Sequence, residues 1–180
     1  MDYQSIINKY YPAGAPLRDI FMRHSQSVAD LAVEIAEKCN LPLSPDEVRA
    51  AAMLHDIGIF LTDAPDIHCH GTEHYLRHGI LGAELLRREG MPEQIARVAE
   101  RHTGAGITAD DIATQNLPIP PGDYLPETLL EQLICYADKF YSKSGDMHRK
   151  PLDKVRASIS RFGEKSLTRF DSMHALFTQK

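Results

Sequence analysis

Tryptophan is absent from the chain, and cysteine is limited to Cys39, Cys69 and Cys135. An odd number of widely spaced thiols without a C-x-x-C pair builds neither a disulfide framework nor a standard zinc ribbon, and it fits a reducing cytosol. Long apolar runs are missing too, since no uninterrupted stretch approaches the roughly 18 residues that a membrane-spanning helix needs. The opening residues, Met1-Asp2-Tyr3-Gln4-Ser5, lack the basic and apolar regions of a secretory leader. A cytoplasmic chain with no membrane partner is therefore expected. Positive charge is not in excess: 20 Lys and Arg face 25 Asp and Glu, for a formal net charge of -5. That balance gives no reason to expect duplex nucleic acid, although it leaves room for a small phosphorylated substrate at a cationic centre. Internal repeats, low-complexity tracts and alternating strand patterns are also lacking.

What is present is an ordinary globular composition, 43% hydrophobic and 25% charged over 180 residues. Such a chain can bury a core as one domain spanning residues 1–180. From Leu17 to Cys39 apolar residues recur at three-and-four spacing, the pattern of an amphipathic helix. Asn40-Leu41-Pro42 ends it. Ser44-Pro45-Asp46-Glu47 starts another helix with a capping Ser, Pro at the first position and Glu at the third, and Gly58 is placed to stop it. Residues 59–72, with Pro65 and His68-Cys69-His70-Gly71, have the composition of a loop: a solvated segment near a site mouth, or a lid. Further helices are predicted up to Gly90, from Met91 to Gly104, over 108–115 with a Thr108/Asp111 cap, and from Glu127 onward past Ile134. Two more patterns follow, from Leu152 to Phe162 and from Leu167 to Phe177, as packing or partner-binding helices. The fold class expected is an all-α, single-domain helical bundle.

Polar residues stand at places where this periodicity asks for apolar ones. His24, His55, His78 and His102 each fall on the inward stripe of a predicted helix, as does Asp138, and Asp56 adjoins His55. One such His has a simple alternative, a buried imidazole bonded to a carbonyl. Four of them with two acids, spread over five predicted helices, point instead to a metal site. Imidazole and carboxylate suit Fe, Mn, Co, Ni or Zn, with Mg admitted, and the absence of thiolate argues against a structural zinc site. One ion could be held by His24, His55, Asp56 and Asp138, and a second by His78 and His102 with Asp56 bridging. Such a pair suits hydrolysis at phosphorus by a metal-activated water, which gives Asp56 a catalytic role as well. His148 and His174 have no in-phase acidic partner and are expected in surface or core roles.

The stretch His55-Asp56-Ile57-Gly58, with Arg23-His24-Ser25, His78-Gly79, Arg101-His102 and Ala137-Asp138-Lys139, resembles the HD-domain superfamily of metal-dependent phosphohydrolases. The resemblance covers about residues 17–142, leaving 143–180 as a C-terminal helical extension. It implies a dinuclear or mononuclear centre and hydrolysis of a phosphate ester of a small metabolite or nucleotide. One position departs from the pattern, because many members place Lys after the Gly whereas this chain has Ile59. Arg23, Arg77, Arg101 and Lys139 remain as candidates for substrate phosphate, each with a solvated or structural alternative. Two other functions share the residues: a di-iron oxygenase of the same superfamily, and a non-catalytic, metal-stabilised regulatory or binding module. His68, His70 and His74 have no assigned role, and a homodimer is compatible with the sequence.

Overall fold

In the computed structural model, which describes residues 2–178, the helices follow the apolar periodicity. α1 (Tyr3–Tyr10) precedes the long α2 (Pro16–Lys38), which pairs with α3 (Pro45–Leu54). α4 (His78–Arg88) and α5 (Glu93–Arg101) form a second packed pair, followed by α6 (Ala109–Gln115) and α7 (Leu129–Asp138). α8 (Leu152–Ile159) and α9 (Glu164–Phe177) complete the described chain. Inward faces from all of these except α6 join one apolar cluster that runs from Ile6 to Phe177 and includes Phe21, Leu54, Leu86, Ile95, Leu133 and Phe170. The tail helices belong to it. Phe170 and Phe177 face Tyr136 with ring centroids 5.5 Å away in each case, and His174 Nδ1 lies 2.8 Å from the Tyr136 hydroxyl.

Local chemistry accounts for most helix ends. Thr108 and Thr128 form reciprocal caps with Asp111 and Glu131, each side chain meeting the other's backbone N–H. Ser44 sits at the start of α3 in an extended conformation but accepts no side-chain hydrogen bond, so Pro45 and the acidic first turn set that end. Gly90 leaves α4 at φ +73°.

Three features differ from the sequence-based expectation. α1 was not predicted, because its eight residues bury only Ile6 and Ile7. Residues 59–72 are more ordered than a plain loop: two 3-10 turns and a hairpin of β1 (Asp63–Ala64) and β2 (Cys69–His70), each two residues long. Gly58 does not cap α3, which ends at Leu54, and its φ of -87° is open to any residue. Its role is proximity: a Cβ there would lie 2.5 Å from Gly82 N and against the carbonyl of His78. The missing side chain is what lets the His55–Gly58 turn sit on α4.

Candidate metal centre

Five elements deliver the inward polar residues to one place. His24 comes from the middle of α2, His55 and His102 cap the C-termini of α3 and α5, His78 is the first residue of α4, and Asp138 the last of α7. Asp56 follows His55. All six are buried, with Asp56 and His55 fully inaccessible. Their atoms fall into two groups that could hold an ion, His24, His55, Asp56 and Asp138 in one, and Asp56, His78 and His102 in the other.

Asp56 is divided between them. Its Oδ2 faces His24 Nε2 at 3.2 Å and His55 Nε2 at 3.1 Å, while its Oδ1 faces His102 Nε2 at 3.3 Å and His78 Nε2 at 3.4 Å. Asp138 Oδ1 lies 3.0 Å from His24 Nε2 and 3.4 Å from His55 Nε2.

The helix ends also set the imidazole tautomers. His55, His78 and His102 each place Nδ1 2.6–2.7 Å from the carbonyl three residues earlier, Ala52, Tyr75 and Ala99 respectively. A carbonyl only accepts, so Nδ1 carries the proton and the lone pair of Nε2 points into the cluster. Two such lone pairs meet where His78 Nε2 lies 3.0 Å from His102 Nε2. Neutral rings in that arrangement have no proton to share, and among the described residues Asp56 Oδ1 has no aligned hydrogen-bond donor. Acceptors facing acceptors are what a shared cation relieves, and imidazole nitrogens with carboxylate oxygens are the donor set of a divalent transition metal. The residues fit such an ion.

Electrostatics within the cluster are strongly coupled. Burial opposes charge on Asp56, but Lys143, His55 and the contacts from His102 and His24 outweigh it and hold the acid well below the usual carboxylate range. Burial likewise opposes charge on His55, yet the charges of Asp56 and Asp138 raise it to about 9, which puts a proton on its Nε2 when no cation is bound; a bound cation would take that proton's place. His78 goes the other way, to about 3, through burial and the neighbouring His102.

The HD domain profile matches residues 21–142. The chain belongs to the HD-domain family. Among solved structures, this HD domain is similar to that of the Listeria monocytogenes phosphodiesterase PgpH, at TM-score 0.56 and 17% identity over 98% of this chain and 95% of that one. The same domain in complex with cyclic-di-AMP gives TM-score 0.56 at 17% identity, over 100% and 99%. At such identities the likeness is one of fold. Among curated proteins, it is 34% identical over 83% of its length to a tRNA (cytidine(56)-2'-O)-methyltransferase of Thermoplasma volcanium. A protein of that name from Picrophilus torridus is 37% identical over 74% of the chain. The HD domain spans 38% and 35% of these two relatives. The uncharacterized protein MJ0778 of Methanocaldococcus jannaschii is 39% identical over 65% of this chain and 63% of its own.

Beside the cluster opens a cavity of 410 Å³ whose wall includes Asp138, Tyr75 and three lysines, Lys139, Lys143 and Lys150. Of the four side chains considered for phosphate, only Lys139 lines it, with Nζ 2.6 Å from Asp138 Oδ2 and 2.9 Å from the carbonyl of His102. Arg23 is exposed on α2. Arg77 pairs with Glu73 on its own turn, and Arg101 is held by the carbonyl of Leu125 at 2.7 Å and by Glu127. The 59–72 segment contributes Ala64, Asp66 and Ile67 to the cavity wall, while His68, His70 and His74 are exposed.

Sequence reasoning missed two residues. Lys143 lies one position beyond the family match, in the irregular stretch after α7, with Nζ 2.6 Å from Asp56 Oδ2. Burial disfavours its charge, but Asp56, Tyr75 and Asp138 hold the ammonium above its ordinary range. Tyr11, buried just after α1, donates its hydroxyl to the carbonyl of Ile57 at 2.9 Å and stacks on Phe21 with centroids 4.1 Å apart. It thus secures the His55–Gly58 turn against α2. Neither residue had a periodic signal in the sequence.

Proposed function

We propose that this HD domain is a metal-dependent phosphohydrolase acting on a phosphate ester of a small metabolite or nucleotide. The observation that carries the reading is the position of Asp56, whose two oxygens face two sets of imidazole nitrogens, His24 and His55 on Oδ2 and His78 and His102 on Oδ1. His24, His55, Asp56 and Asp138 would hold one divalent ion, and His78 and His102 would hold a second with Asp56 between them. A divalent cation supplies Lewis acidity there, making hydroxide accessible near neutral pH and offsetting charge on phosphate oxygens.

The chain's own residues do the rest. The carbonyls of Ala52, Tyr75 and Ala99 orient three rings so that Nε2, not Nδ1, is offered. Burial of Asp56 and His55 keeps bulk water from competing for them. Lys139 brings positive charge to the wall of the adjoining cavity, where a phosphate would be neutralised without leaving solvent reach. Such a cavity takes a small substrate rather than a polymer duplex.

Metal analysis of the purified protein, followed by a hydrolysis screen with p-nitrophenyl phosphate and nucleotides in added Mn2+ or Co2+, tests the reading. Turnover that disappears with chelation supports it. Metal-loaded protein inert toward every phosphate ester would leave a different role for the centre. The name of the two longer relatives favours one such role, a part in tRNA methylation, for which methyl transfer to tRNA is the assay.

A further inference from the structure

The reading of the cluster as a metal centre leaves a conflict of charge around Asp56, and the adjoining cavity offers a way out of it. Lys143 Nζ lies 2.6 Å from Asp56 Oδ2, the same oxygen that faces His24 and His55. A carboxylate oxygen packed against an ammonium cannot give the same side to a divalent ion, so the two cations exclude one another there. Lys139 poses no such conflict. It contacts Asp138 Oδ2, whereas His24 and His55 face Oδ1 of that residue.

The surroundings give Lys143 somewhere else to go. Its backbone belongs to the stretch between α7 and α8 that is neither helix nor strand, and its side chain already lines the 410 Å³ cavity. Lys150 lines the same cavity without an ion-pair partner among the described residues, and burial together with Lys139 and Lys143 pushes its ammonium below the ordinary range. Asp66 and Asp138 line the cavity as well, Asp138 already paired with Lys139, so a third positive side chain swung into that space leaves positive charge in excess there, which asks for an anion. The residue after Gly58 cannot provide for one, because Ile59 is apolar and fully buried.

We propose that Lys143 is a displaceable counter-ion of Asp56, neutralising that carboxylate when no divalent ion is bound and giving way when one is, then acting with Lys150 to position an anion in the cavity. The proposal rests on the reading of the cluster as a metal centre. It makes metal and anion binding reciprocal, since each favours the arrangement in which Lys143 has left Asp56. A Lys143 that merely braced the fold would behave differently, because its removal would weaken the site or leave it unaffected.

The test is calorimetric titration of Mn2+ into the full chain and into Lys143→Met, each with and without inorganic phosphate, with circular dichroism to confirm the fold. Without phosphate the variant should bind Mn2+ about tenfold more tightly, having lost the competing ammonium. Phosphate should tighten Mn2+ binding to the unmodified chain by about tenfold and should have much less effect on the variant. Lys143→Arg, which keeps the charge, should restore both the weaker Mn2+ binding and the phosphate response. Should Lys143→Met not fold, Lys143→Gln carries the same two expectations. Mn2+ affinity that is unchanged or weaker in the variant, or an unchanged phosphate response, overturns the proposal. Failure of Mn2+ to bind either protein removes the metal centre itself, a result that is read separately.

Discussion

Two buried carboxylates, Glu131 and Asp56, have opposite surroundings. Glu131 receives Arg97 Nε at 2.7 Å on one oxygen and the backbone N–H groups of Glu127 at 2.7 Å and Thr128 at 3.3 Å on the other. Every group in that knot has its partner, and the acid is also part of the cap that starts α7. Asp56 is just as deeply buried, yet its Oδ1 faces two imidazoles, His78 and His102, whose Nδ1 protons are turned to backbone carbonyls, and its Oδ2 is met by Lys143 from an irregular segment rather than by a fixed network. A completed network stabilises the fold, whereas an incomplete one marks where something else is to bind. Burial and charge alone would not have told the two apart.

Substitutions sharpen that contrast. Asp56→Ala has the largest expected effect: turnover falls by more than about 100-fold, beyond the usual loss for residues that only support a ligand, while helix content by circular dichroism stays nearly the same. Retention of the rate in a steady-state assay would erase the functional half of the comparison. Gly58→Ala should cost about 3 kcal/mol in urea unfolding, since the added methyl meets the backbone of α4. It should also lower metal affinity, because the turn that carries His55 and Asp56 would move away from His78. Glu131→Gln should cost about 2 kcal/mol of stability with Mn2+ affinity unchanged, and a loss of metal binding there would join the two regions rather than separate them.

Acid pH gives a smaller effect with a definite sign. Burial pushes the Glu131 acid up, but Arg97 and the backbone N–H groups outweigh it and leave the folded value below the ordinary 4.5. A lowered folded value contributes stability that is present above pH 4.5 and lost as pH falls through the folded value. The melting-temperature gap between the natural chain and Glu131→Gln should therefore be constant near neutrality and close as pH falls below about 4.5. Smallest is Tyr11→Phe, expected to lose about 1 kcal/mol with the hydroxyl bond to Ile57, measured by thermal unfolding.

Much of the helical frame was legible because its signal is local. Leu31, Leu54, Leu86 and Val98 each belong, on their own helix, to an apolar series at the three-and-four spacing that a helix turns inward, and His24, His78 and His102 were conspicuous as polar residues on such stripes. α1 escaped notice because two buried isoleucines over eight residues set no period. The two-residue strands escaped because alternation needs a longer run. Gly58 was misjudged as a cap because sequence shows that a side chain is missing but not which neighbour needs the space.

Sequence by itself determined which residues turn inward and that their chemistry suits a cation, since periodicity and ligand type are properties of single segments. The division of Asp56 between two sets of imidazoles, the clamp of Tyr11 on the turn and the arrival of Lys143 at a carboxylate 87 positions away in the chain were decided by tertiary structure. Convergence depends on how helices cross and where an irregular segment returns, and no local pattern records either.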